Sequence, residues 1–133
     1  MGAWGFGSFD NDDALDWVND FECSGVVAVD QALTQVCELA DDEYLEAPEA
    51  SNAIAAAEFV AAARDHNLSR LPEEALAVFT RLKLPLDGTP LLDKARRAVE
   101  RVLRQSELEE LWDESSDADA WRNDLERLLA RLK

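Results

Sequence analysis

A chain of 133 residues in which 47% are hydrophobic has the length of one domain and enough apolar side chains to bury a core, which excludes a disordered polymer. Its net charge of −16 at pH 7 argues against nucleic acid and anionic membranes as partners, because both require a basic protein surface. The charge is also uneven: residues 1–63 hold fourteen acidic side chains and no Lys or Arg, whereas the rest hold fifteen acids and all thirteen bases.

The chain opens on MGAWGFGSF, a Gly/Trp-rich arm over residues 1–9. Gly2, Gly5 and Gly7 do not have the spacing of a dinucleotide fingerprint and follow no strand, and the acids after them would repel a phosphate. The arm therefore reads as structural, with Trp4 and Phe6 turned inward as anchors. Asp10 is the expected cap of a first helix, with Asp13 three residues on and Phe9 as a hydrophobic staple. Ala14, Trp17, Val18 and Phe21 then share one helical face.

A second helix is predicted over about Val26–Leu39, with Val29, Leu33, Val36 and Cys37 inward. Pro48 suits the first turn of a third. This helix, ASNAIAAAEFVAAARD, is apolar nearly all round and so reads as central, with Asn67 as its stop. Pro72 opens a fourth, with Glu73 and Glu74 in its first turn. Thr89 is the expected cap of a fifth, lined by Leu92, Ala95, Val99 and Val102. Ser106 and Glu109 form a capping box for a short helix bearing Leu108, Leu111 and Trp112. Ser116 and Asp119 announce the last, with Trp121, Leu125, Leu128 and Leu132 on one face. The reading is an all-α single compact domain over 1–133, of six or seven helices, with the arm packed on the core.

Cys23 and Cys37 match no zinc spacing and read as free thiols. The start lacks a basic region followed by an apolar run, Phe6 stands where a myristoylation signal wants Ser or Thr, and Glu58 interrupts the alanine-rich run. A cytoplasmic protein without a membrane span is expected.

The start MGAWGFGSFDNDDALDW, the middle AIAAAEFVAAAR and the ending ELEELWDESSDADAWRNDLERLLARL together resemble the bacterial domain-of-unknown-function family 4259. The resemblance covers nearly the whole chain, and its most specific part is the glycine–tryptophan–glycine opening followed by FDNDDA. It implies a small, mostly cytoplasmic bacterial protein and carries no established activity, cofactor or catalytic residue.

Four groups of residues could carry chemistry. Asp12, Asp13 and Asp16 spell D-D-x-x-D and share a helical face, as in the aspartate-rich segment of helical isoprenoid synthases. Those enzymes need a second metal motif that is missing here, and an acidic first turn explains the same residues. Glu107, Glu110, Asp113 and Glu114 form a second acidic set, similar to the Glu-x-x-Glu pairs of all-helical magnesium-dependent nucleotide pyrophosphatases. The matching downstream Glu-x-x-Asp is absent, so a solvated face is the simpler reading. Lys94, Arg96, Arg97, Arg101 and Arg104 gather positive charge on one helix, either to balance the acidic half or to bind an acidic peptide. The lone His66 suits a helix C-terminus and has no second ligand for a metal.

Glu58 stands alone in the apolar helix and must be paired or hydrogen-bonded if buried. The arm is its expected partner, through the N–H groups of Gly2, Ala3, Trp4 and Gly5 and the Trp4 indole. For function, the acidic half points to a protein–protein interaction module, immunity- or inhibitor-like, that engages a basic protein. Asp41, Asp42, Glu43 and Glu46 are candidate contact residues. The alternative is a metal-dependent hydrolase of phosphate esters using Asp12, Asp13 and Asp16 or Glu107 and Glu110. No cofactor is expected, and the sequence sets no oligomeric state.

Overall fold

A computed structural model describes residues 5–133. Seven helices run in order among them: α1 Asp12–Ser24, α2 Val26–Cys37, α3 Ala47–Asp65, α4 Glu73–Leu82, α5 Thr89–Arg104, α6 Glu107–Asp113 and α7 Ala118–Leu132. No strand occurs among the described residues, so the class is all-α. No helix is long and apolar enough to cross a membrane.

Helix α3 is the axis of the fold. It packs against α1, α2, α5, α6 and α7, and every residue from Ala53 to Ala62 is buried. Its alanines let the neighbouring helices come close, and Phe59 is fully buried among aromatic rings. The Phe59 ring stands 4.6 Å from Phe21, 5.3 Å from Trp17, 5.4 Å from Phe79 and 5.9 Å from Phe9, centroid to centroid. These tilted and edge-on contacts join the arm, α1 and α4 to the central helix and add to plain burial. Trp17, Phe21, Trp112 and Trp121 all lie in the core. The expectation for Trp4 falls outside the described residues.

Several boundaries differ from expectation for local reasons. Asn11 caps α1, its Oδ1 accepting the Ala14 N–H at 2.8 Å. Asp10 instead accepts the Gly7 N–H at 3.1 Å. A Cβ on Gly5 or Gly7 would meet the Asp10 carboxylate at 2.6 or 2.7 Å, so these glycines make room for an internal carboxylate. Helix α3 ends at His66, which takes the left-handed conformation at φ 56°, while Asn67 closes the turn that follows. Gly25, at φ 59°, occupies the junction of α1 and α2, where a larger residue is disfavoured. Gly88 rather than Thr89 caps α5, and Asp117 rather than Ser116 precedes α7. Ser106 caps α6 as anticipated, accepting the Glu109 N–H at 3.0 Å.

Candidate functional site: an acidic face beside a buried charge network

Charge is handled in two ways in this fold. Glu58 is 1% exposed. Its carboxylate accepts the Ser8 hydroxyl at 2.6 Å, three N–H contacts from Arg70 at 2.6–3.1 Å and one from Arg131 at 3.2 Å. Arg70 also forks onto Asp124, with both contacts at 2.9 Å. Arg131 reaches Asp65 at 2.8 and 3.1 Å and the Asn67 carbonyl at 3.0 Å. Asp124 and Asp65 hold the Arg70 and Arg131 guanidiniums, respectively, more firmly protonated than usual. Arg131 in turn holds the Asp65 carboxyl below the ordinary carboxylate value.

Among the described residues the arm contributes a partner to Glu58 through Ser8, and the main partners are arginines. The expected donors Gly2, Ala3 and Trp4 lie outside the described residues; the arginines add what hydrogen bonds alone do not, since a carboxylate this deep needs opposing charge as well. None of these partners was singled out from the sequence, though two leave a signal in its periodicity. Asp124 and Arg131 fall on the core stripe of α7, between Trp121 and Leu132. Arg70 gave no signal beyond its place between Leu68 and Leu71.

The basic residues of α5 serve mainly as internal ties. The Lys94 ammonium donates to Asp30 at 2.5 Å and to Thr34 at 3.1 Å, joining α5 to α2. Arg101 is buried and holds the loop after α2 through the carbonyls of Leu39, Ala40 and Glu43. Arg104 reaches Asp41 at 3.4 Å. Two of the four candidate contact residues are thereby engaged. Asp41 has Arg104, and the Glu43 carboxylate accepts the Ala40 N–H at 2.8 Å. Asp42 and Glu46 have no ion-pair partner among the described residues.

The opposite situation holds where the starts of α1, α3 and α6 meet. Asp12, Asp13 and Asp16 come from α1, Glu46 and Glu49 from the start of α3, and Glu107 and Glu110 from α6. None has a Lys or Arg within ion-pair distance among the described residues. The Asp13 carboxyl is pushed above its ordinary value, first by burial and then by the charges of Asp16, Asp12 and Glu49. Glu107 has a structural duty as well: its carboxylate accepts the Ala47 N–H at 2.7 Å and satisfies the start of α3, while its own N–H donates to the Leu45 carbonyl at 2.8 Å. That role was not legible, because it links residues sixty positions apart.

A cavity of about 360 Å³ opens on this face. Phe6, Leu108, Leu111, Trp112 and Trp121 make its apolar walls, and Asp13, Ser51 and Glu107 add polar groups. Large hydrophobic side chains that are exposed among the described residues are Phe6, Val27 and Tyr44. Two of these three belong to the acidic face: Phe6 lines the cavity with Glu107, and Tyr44 stands beside Glu107 and Glu110. No group of three or more His, Cys, Asp or Glu side chains among the described residues is disposed to hold a metal ion. Asp13 lines the cavity while Asp12 and Asp16 face solvent, so the D-D-x-x-D residues form part of a broader charged surface.

A family model described as Domain of unknown function (DUF4259) matches residues 2–124. No curated protein and no solved structure matches the chain.

Proposed function

This chain belongs to the DUF4259 family, and from that premise we propose that it is a protein-interaction module whose acidic face engages a basic partner protein, in the manner of an immunity protein or inhibitor. The supporting observation is the coincidence of unpaired acids from three helices with exposed aromatic side chains on one face. Unmatched like charges repel one another and work against folding. A cationic partner relieves that repulsion and is drawn in by it, while aromatic residues in such a setting supply contact energy. The same charge disfavours nucleic acid and anionic lipid as partners. The cytoplasm is the compartment we assign, because Cys23 and Cys37 are both free thiols and Cys23 is exposed.

The test compares capture by the wild-type protein with capture by a variant carrying Asp12→Asn, Asp16→Asn, Glu46→Gln and Glu49→Gln, both folded by circular dichroism. The reading requires a basic protein held by the wild type in fixed stoichiometry, released by salt and absent with the variant. Identical captured sets for the two proteins would refute it.

A further inference from the structure

Tyr44 is 57% exposed, whereas Trp17, Trp112 and Trp121 are all buried. Its hydroxyl donates to both oxygens of Glu110 at 3.4 Å. Contacts of that length lie at the weak end of hydrogen bonding, so Glu110 retains most of its acceptor capacity. The phenol is held above its ordinary ionisation value, first by partial desolvation and then by the charges of Glu107 and Glu110.

Beside the ring runs a groove of about 270 Å³ whose walls include Leu39, Leu45, Glu46 and Glu49. Glu49 supplies an observation independent of the number of acids: its Oε2 is buried and has no hydrogen-bond partner. An acceptor stranded in this way is costly. It gains a partner when the carboxylate swings into the groove to meet a donor. The groove thus combines aliphatic walls, an exposed aromatic ring and the under-used carboxylate of Glu49, with Glu110 at the hydroxyl end of the same ring. A flat cation rich in donors is complementary to all three features.

We propose that this groove receives an arginine side chain of the partner protein, with the guanidinium stacked on Tyr44 and hydrogen-bonded to Glu110 and Glu49. The proposal rests on the acidic-face reading and names what that face recognises. Arginine is favoured over lysine on chemical grounds. Its planar guanidinium stacks on an aromatic ring and presents several donors in a fixed fork, while a lysine ammonium is a strongly hydrated point charge. Its aliphatic stem also suits the leucine walls.

The test uses hexa-arginine and hexa-lysine peptides of equal charge, measured by calorimetry and by NMR shifts on the full chain at low salt. The arginine peptide is expected to bind about tenfold more tightly than the lysine peptide, with shifts centred on residues 44–49 and 107–110. Tyr44→Ala, a change at an exposed position, should erase that preference and leave lysine-peptide binding unchanged. Glu49→Gln should weaken the arginine peptide more than the lysine peptide, and Glu126→Gln, on the exposed side of α7, should leave the preference unchanged. Equal affinity for the two peptides, or a preference that survives both Tyr44→Ala and Glu49→Gln, overturns the proposal and leaves the acidic-face reading standing. If neither peptide binds, both fall together.

Discussion

Helix α3 carries both kinds of charge found in this molecule. At its middle, Glu58 is buried and met by two guanidiniums and a hydroxyl. At its start, Glu46 and Glu49 stand with the acids of α1 and α6 and meet no cation among the described residues. The two ends of the pH response differ accordingly. Asp65, held low by Arg131, contributes stability that is present above its unfolded value of 3.8 and is lost as pH falls through its lower folded value. Asp13, held high by burial and neighbouring acids, does the reverse: ionised, it works against the fold, and that penalty disappears as pH falls through its raised value towards 3.8. Around Glu58 charge is neutralised internally; at the start of α3 it meets no cation among the described residues.

The contrast can be attacked first at the network. Arg70→Ala leaves Glu58 and Asp124 without their shared cation, and should cost about 3–5 kcal/mol in urea unfolding, the range for breaking a buried pair on one side. A loss near zero would mean that Arg131 alone suffices for Glu58. Ser8→Ala removes one charge-assisted hydrogen bond and should cost about 1.5 kcal/mol in the same measurement. At the acidic face, Glu107→Ala removes the cap of α3 and should cost about 1 kcal/mol. Glu107→Gln keeps an acceptor and should lose less. Smallest of all, Asp13→Asn should raise stability at pH 7 by about 0.5 kcal/mol or less, since the group is largely solvated. Thermal melts against pH should show the gap to the wild type closing between the raised value and 3.8.

Most of the architecture was legible because helical periodicity and capping residues are local signals. The buried face of α1, the all-round burial of α3 and the Ser106 cap follow directly from neighbouring residues. The burial of Glu58 followed the same way, since the residues flanking it in α3 leave no polar face. Its partners did not, because Arg70 and Arg131 reach it across chain separations of 12 and 73 residues. The balancing of α5 against α2 was open to a sequence reading as one of two alternatives, and the Lys94–Asp30 pair favours internal balance. The gathering of Tyr44, Glu49 and Glu110 depends on where α6 settles against the start of α3, a tertiary fact with no local trace.

A single substitution separates structural acids from unmatched ones. Asp16→Lys, at an exposed position of α1, places a cation four residues after Asp12 and removes a like charge from Asp13. Thermal unfolding at low salt should show the variant melting above the wild type, with the difference shrinking as salt is added, while the arginine peptide binds less tightly. A variant that melts below the wild type would contradict this division, since it would show that the acids of this face hold the fold together rather than await a partner.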